Sequence, residues 1–188
     1  MSDKYRFFAP ELEAGPVLTL PESEGHHAAR VLRLKVGAEV ELFDGKGKSL
    51  SGHISHIDRD RVQVEAQGQP QILPRPQPEL HLAFAIPKGK RLDWLLEKAT
   101  ELGAVSLQPV IFERSVAGPD EWTPHQQERW QVHTLAAAKQ CGLNFLPDIR
   151  KPVPLKGWNP MPSQALKLVG SLTETAQPVM EAMKKDSG

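Results

Sequence analysis

A single cysteine, Cys141, in 188 residues excludes an internal disulfide framework, and no C-x-x-C pair supplies thiolates for a structural zinc site. Net charge is missing too. The 23 basic residues balance 23 acidic ones, so the whole molecule has no field drawing it to RNA, DNA or a membrane. Any nucleic-acid site must come from local clustering. No apolar run is long enough to cross a bilayer, and Met1-Ser2-Asp3-Lys4-Tyr5 lacks the apolar stretch of a secretory signal. These absences predict a soluble cytoplasmic protein that uses no membrane and no metal. What is present is 39% hydrophobic and 24% charged residues, enough for one large domain or two small ones.

Composition breaks once. Residues 67–78 hold four prolines, which remove backbone donors and favour extended chain, so this stretch is read as an interdomain linker. Before it, short alternating segments at 5–8, 17–20, 39–43, 51–57 and 61–65 predict strands of a small barrel. One helix interrupts them, with Ser23 as a candidate cap and Ala28, Val31 and Leu32 facing the core. After the linker the period changes. Leu80, Leu82, Phe84 and Ile86 predict a strand. Leu92, Leu95, Leu96, Ala99 and Leu102 then form one helix face that ends at Gly103. A strand over 105–112, a helix over 126–140 and a strand over 165–172 follow. Strand, helix, strand, helix, strand is the order of a parallel sheet with crossovers.

Four clusters bear on chemistry. Arg30 and Arg33, three apart, would share a helix face and with Lys35 make a basic stripe able to grip phosphates; a solvated helix face is the alternative. His26 and His27 point to different sides of a helix and lack a third partner, so they do not make a metal site. Asp44-Gly45-Lys46-Gly47-Lys48-Ser49 imitates the tail of a phosphate loop. The glycine required five positions before Gly47 is Leu42, however, and alternation rather than a helix follows, so the segment reads as a hairpin turn. Lys88 and Lys90 fall between a strand end and a helix start, where ligands of open α/β sheets gather. In Ala136-Ala137-Ala138-Lys139-Gln140-Cys141-Gly142, the alanines permit close packing, Gly142 suits a helix end, and Cys141 reads as a small buried residue.

Taken in order, Arg6-Phe7-Phe8, His27-Ala28-Ala29-Arg30-Val31-Leu32-Arg33 and Leu42-Phe43-Asp44-Gly45 resemble the N-terminal part of RsmE-type 16S rRNA uracil-N3 methyltransferases. Lys88-Gly89-Lys90-Arg91-Leu92-Asp93 with Glu97-Lys98-Ala99-Thr100-Glu101-Leu102-Gly103 is similar to the most recognisable segment of that family. Pro109, Glu113-Arg114-Ser115 and Lys139-Gln140-Cys141-Gly142 before Pro147 continue the match. The resemblance implies an α+β protein of two domains. The first is a PUA-like β-barrel over 1–72 that helps bind RNA. The second is an α/β SPOUT domain over 73–188, with a trefoil knot in the family. It also implies a homodimer, S-adenosylmethionine as donor, and methylation of N3 of one uridine of 16S rRNA in the small ribosomal subunit. By resemblance Arg6, His27, Arg30, Arg33, Lys88 and Lys90 face RNA, while Leu172, Thr173 and Glu174 face the donor; no general base is identified.

Two departures from the family pattern stand out. Lys139 and Leu143 replace an acid and an arginine, so whatever ion pair the family builds there is altered. The Gly-Pro-Glu-Gly-Gly loop and the Leu-Arg-x-Glu-Thr segment, which by resemblance form the knot and most of the donor pocket, do not occur. An alternative function is therefore a non-catalytic RNA-binding dimer without a donor site.

Overall fold

The structure is a computed structural model and describes residues 5–12, 15–113, 122–156, 158 and 166–185. The chain forms two compact units, Met1–Leu155 and Lys156–Gly188.

The first unit begins with a six-stranded sheet. Its strands are Tyr5–Phe8 (β1), Val17–Thr19 (β2), Glu39–Phe43 (β3), Lys48–Asp58 (β4), Arg61–Ala66 (β5) and Gln71–Ile72 (β6). The hydrogen-bonded order is β1-β3-β4-β5-β2, with β6 on β4. Only β1 and β3 run parallel, and the other pairs are antiparallel. Alternation does the folding work here: Val40 and Leu42 of β3, Leu50 and Ile54 of β4, and Val62 and Val64 of β5 all point into one core with Phe7. Each such buried side chain contributes about 1.5–3 kcal/mol. The 44–49 segment is the expected hairpin turn, because the Asp44 carboxylate accepts from the backbone N–H of Lys46 (2.7 Å) and of Lys48 (2.9 Å).

The helix before β3 differs from expectation. It spans Glu22–His26 (α1) behind Pro21, not Ser23, and loosens at once into a π turn over His27–Val31. Gly25 explains its seat: a Cβ there would overlap the Asp60 carbonyl oxygen in the β4–β5 turn, so α1 lies directly on that turn. The wider π winding keeps Ala28 buried and leaves Val31 exposed, contrary to its predicted inward face.

The proline-rich stretch opens with β6 and is exposed from Gln71 to Leu80. It leads to a parallel sheet of His81–Ala85 (β7), Ser106–Ile111 (β8), Asp148–Ile149 (β9) and Val153–Pro154 (β10). Here β8 is central, with β7 on one side and both β9 and β10 on the other. The helices Lys90–Glu101 (α2) and Pro124–Cys141 (α3) cross over between them. Leu96, Leu107, Phe84 and Trp130 form the second core. Thr123 and Gln126 close a reciprocal capping box at the start of α3, and Gly142 ends that helix at φ 71°. Cys141 is exposed, not buried: it sits at the last helical turn, and the helix buries Ala137 and Ala138 instead.

In the second unit the strand predicted over 165–172 is not formed. Ala165 lies outside the described residues, and 166–172 is exposed and without strand pairing. A short helix, Val179–Lys185 (α4), follows.

Candidate functional site

The β-rich lobe and the parallel lobe of the first unit meet along a polar seam. At its centre Lys139 of α3 reaches the carboxylate of Glu24 in α1, with Nζ 2.8 Å from Oε2. The same Oε2 accepts from the backbone N–H of Phe8 at 3.2 Å. Glu24 is only 6% exposed, and Lys139 also lies 5.4 Å from the centre of the Phe7 ring. The departure at Lys139 thus has a partner of opposite sign. Beside it, Arg6 Nη2 donates to Asn144 Oδ1 (2.6 Å) and to the carbonyl of Leu143 (3.1 Å), while Nη1 faces Glu41 at 3.4 Å. Burial lowers the Arg6 pKa, and Glu41 opposes that shift. The hairpin tip completes the seam: Gly47 N–H donates to Asn144 O and Leu146 N–H to Gly45 O, both at 2.9 Å. Gly47 has φ 108°, and a Cβ there would sit 2.5 Å from the Phe145 ring, so only glycine allows this approach. A cleft of about 500 Å³ opens next to the seam, between Phe8, Pro21 and Glu24 on one side and Gln131, Leu135 and Pro147 on the other.

The predicted RNA-facing residues therefore separate. Arg6 has a side chain only 12% exposed and a guanidinium committed to the seam, so the geometry gives it a joining role. His27 packs edge-on against Phe7 with ring centres 6.4 Å apart. Arg30 remains on the surface but is engaged, its Nε 3.0 Å from Asp60 Oδ1, with His26 3.4 Å from the other oxygen. That hydrogen bond from Arg30 is the main cause that holds the Asp60 carboxyl below its ordinary range. Arg33 is exposed at φ 52°, beyond the π turn, so it and Arg30 do not share a helical face as their spacing implied.

Lys88, in the turn from β7 to α2, and Lys90, the first residue of α2, are exposed at the carboxyl end of the parallel sheet. Sequence reasoning passed over their neighbour Trp94, which is 63% exposed. The readable signal was its three- and four-residue spacing from Arg91 and Lys90. It also passed over Glu24, Asp60 and Asn144, whose partners are distant in sequence.

In the second unit Leu172, Thr173 and Glu174 are all exposed. Hydroxyls bridge there, with Ser171 Oγ 3.1 Å from Thr173 Oγ1 and that atom 3.2 Å from Thr175 Oγ1. A small-molecule donor needs walls that bury most of its surface, and these three exposed residues alone do not provide them. Among the described residues no group of three or more His, Cys, Asp or Glu is placed to hold a metal ion, and no helix is long and apolar enough to cross a membrane.

Two family models match in tandem, an RNA methyltransferase PUA domain over 20–67 and an RNA methyltransferase domain over 74–187. Among solved structures, ribosomal RNA small subunit methyltransferase E from Neisseria gonorrhoeae, bound to S-adenosyl methionine, is 30% identical with a TM-score of 0.82. The match covers 93% of this chain and 73% of that one. The Synechocystis enzyme of the same name is 32% identical over 146 residues, 77% of this chain and 46% of its own length. That of Bacillus subtilis is 27% identical over 143 residues, 74% and 55% respectively. The chain spans about half the length of these curated relatives.

Proposed function

Because this chain belongs to the ribosomal RNA small subunit methyltransferase E family, we propose that it serves S-adenosylmethionine-dependent methylation of N3 of one uridine in 16S rRNA of the small ribosomal subunit. The observation that carries this is the likeness over 93% of the chain to a relative solved with S-adenosyl methionine bound. In this reading the chain acts as a homodimer in the cytoplasm. The β-rich lobe and the β7–α2 turn present RNA through Arg30, Arg33, Lys88 and Lys90, and the seam holds the two lobes in one orientation. Leu172, Thr173 and Glu174 face the donor. N3 methylation requires loss of a ring proton and alignment of N3, the methyl carbon and the sulfonium sulfur, so binding must orient the uracil. Cations near the ring stabilise the anion that develops.

The test is transfer of labelled methyl from S-adenosylmethionine to small subunits that lack the modification, followed by mapping of the modified nucleotide. Label at N3 of a single 16S uridine is the expected result. No label, with retained binding of small subunits, would instead support an RNA-binding protein without a donor site.

A further inference from the structure

Three tryptophans of the first unit have contrasting fates. Trp122 and Trp130 stack edge to face at 4.8 Å, and Trp130 lies against Phe84 in the core. Trp94 stands on the outer face of α2, 63% exposed. A lone exposed apolar side chain is common and by itself means little. The charges around it carry the argument. Asp93 is turned to Arg129 at 3.0 Å and His133 at 3.3 Å. Glu97 and Glu101 are each 2.9 Å from Lys98. Every acid of α2 is thus matched by a cation. Lys90 and Arg91 lie four and three residues before Trp94 in α2, the spacing of neighbours on one helix face, and neither has an ion pair among the described residues. The Asp93–Arg129 pair also fixes α2 to α3, so the indole stands on a supported helix.

We infer that Trp94, Lys90 and Arg91 form a stacking platform for one unpaired nucleotide of the RNA substrate, the indole taking the base and the two cations its phosphates. The inference rests on the RNA reading above and adds a base-contacting residue to it. Neighbours at this helical spacing have Cβ atoms about 5–6 Å apart, which suits the reach from base to phosphate within one nucleotide. Stacking on an aromatic tolerates any base and needs the base to be unpaired. An RNA-modifying protein that must reach N3, an atom buried in paired uracil, works on such a strand.

The test compares wild type, Trp94→Leu, Trp94→Phe and Lys90→Glu/Arg91→Glu for binding a short single-stranded oligouridylate and an abasic ribose-phosphate strand of equal length. Trp94→Leu should weaken oligouridylate binding roughly tenfold, leave the abasic strand unchanged and keep the salt dependence. Trp94→Phe should retain most of the affinity. The charge reversal should weaken both ligands and flatten the salt dependence. Equal affinity of Trp94→Leu and wild type for oligouridylate overturns the platform. So does an equal loss on both strands, or a wild-type dimer that Trp94→Leu converts to monomer, which makes Trp94 a subunit contact. Failure of the wild type to bind either strand rejects the RNA reading itself.

Discussion

Asp60 shows how one exposed carboxylate sets the availability of a cation. The sequence points Arg30 at phosphate, yet it is bound to Asp60 and shares that partner with His26. Its hydrogen bond depresses the Asp60 pKa, so the pair is intact at neutral pH. The small stability it adds is fully present above the ordinary carboxylate range and is lost as pH falls through the lowered value. Asp60→Asn should therefore free Arg30 for RNA and steepen the dependence of log affinity on log salt by about one. Titrations of oligouridylate binding at several salt concentrations measure this. An unchanged slope removes Arg30 from the RNA surface. The Asp60 contact was illegible in sequence because Asp60 sits in the β4–β5 turn, 30 residues from Arg30. A three-residue spacing also says nothing once a π turn replaces the helix.

Elements were legible where one periodicity ruled a whole segment. The strands β3, β5, β7 and β8 and the helices α2 and α3 lie close to their predicted spans, because each has an apolar face and a glycine or turn to end it. The two-residue strands β6, β9 and β10 carry no period to read; they exist because neighbouring edges accept them. The joint between α1 and α3 was equally hidden, since Glu24 and Lys139 are 115 residues apart. Removing one partner of a buried pair leaves the other charge stranded. Lys139→Met should accordingly destabilise the chain by about 3–5 kcal/mol, whereas Lys139→Met combined with Glu24→Gln should recover part of that loss. Urea denaturation of the two variants decides it. A double variant no more stable than the single one would mean that Lys139 acts by packing on Phe7 and not by charge.

At the scale of the whole first unit, the composition break at the linker marked a real change from antiparallel to parallel architecture. What it did not reveal is that the lobes on either side are joined. That seam is built from single atoms: a lysine amine, an arginine fork and the main chain of a glycine hairpin. The hairpin turn itself can be read from the sequence, but none of these contacts has a sequence signature. The exposed run from Gln71 to Leu80 therefore spans a gap that the seam already closes. A protease site placed between Leu73 and Pro78 should be cut readily in the folded protein, and the two fragments should still elute together in size-exclusion chromatography without denaturant. Separate elution would show that the covalent link, not the seam, keeps the lobes in register. If they stay together, the chain is in effect a heterodimer that happens to be translated as one piece.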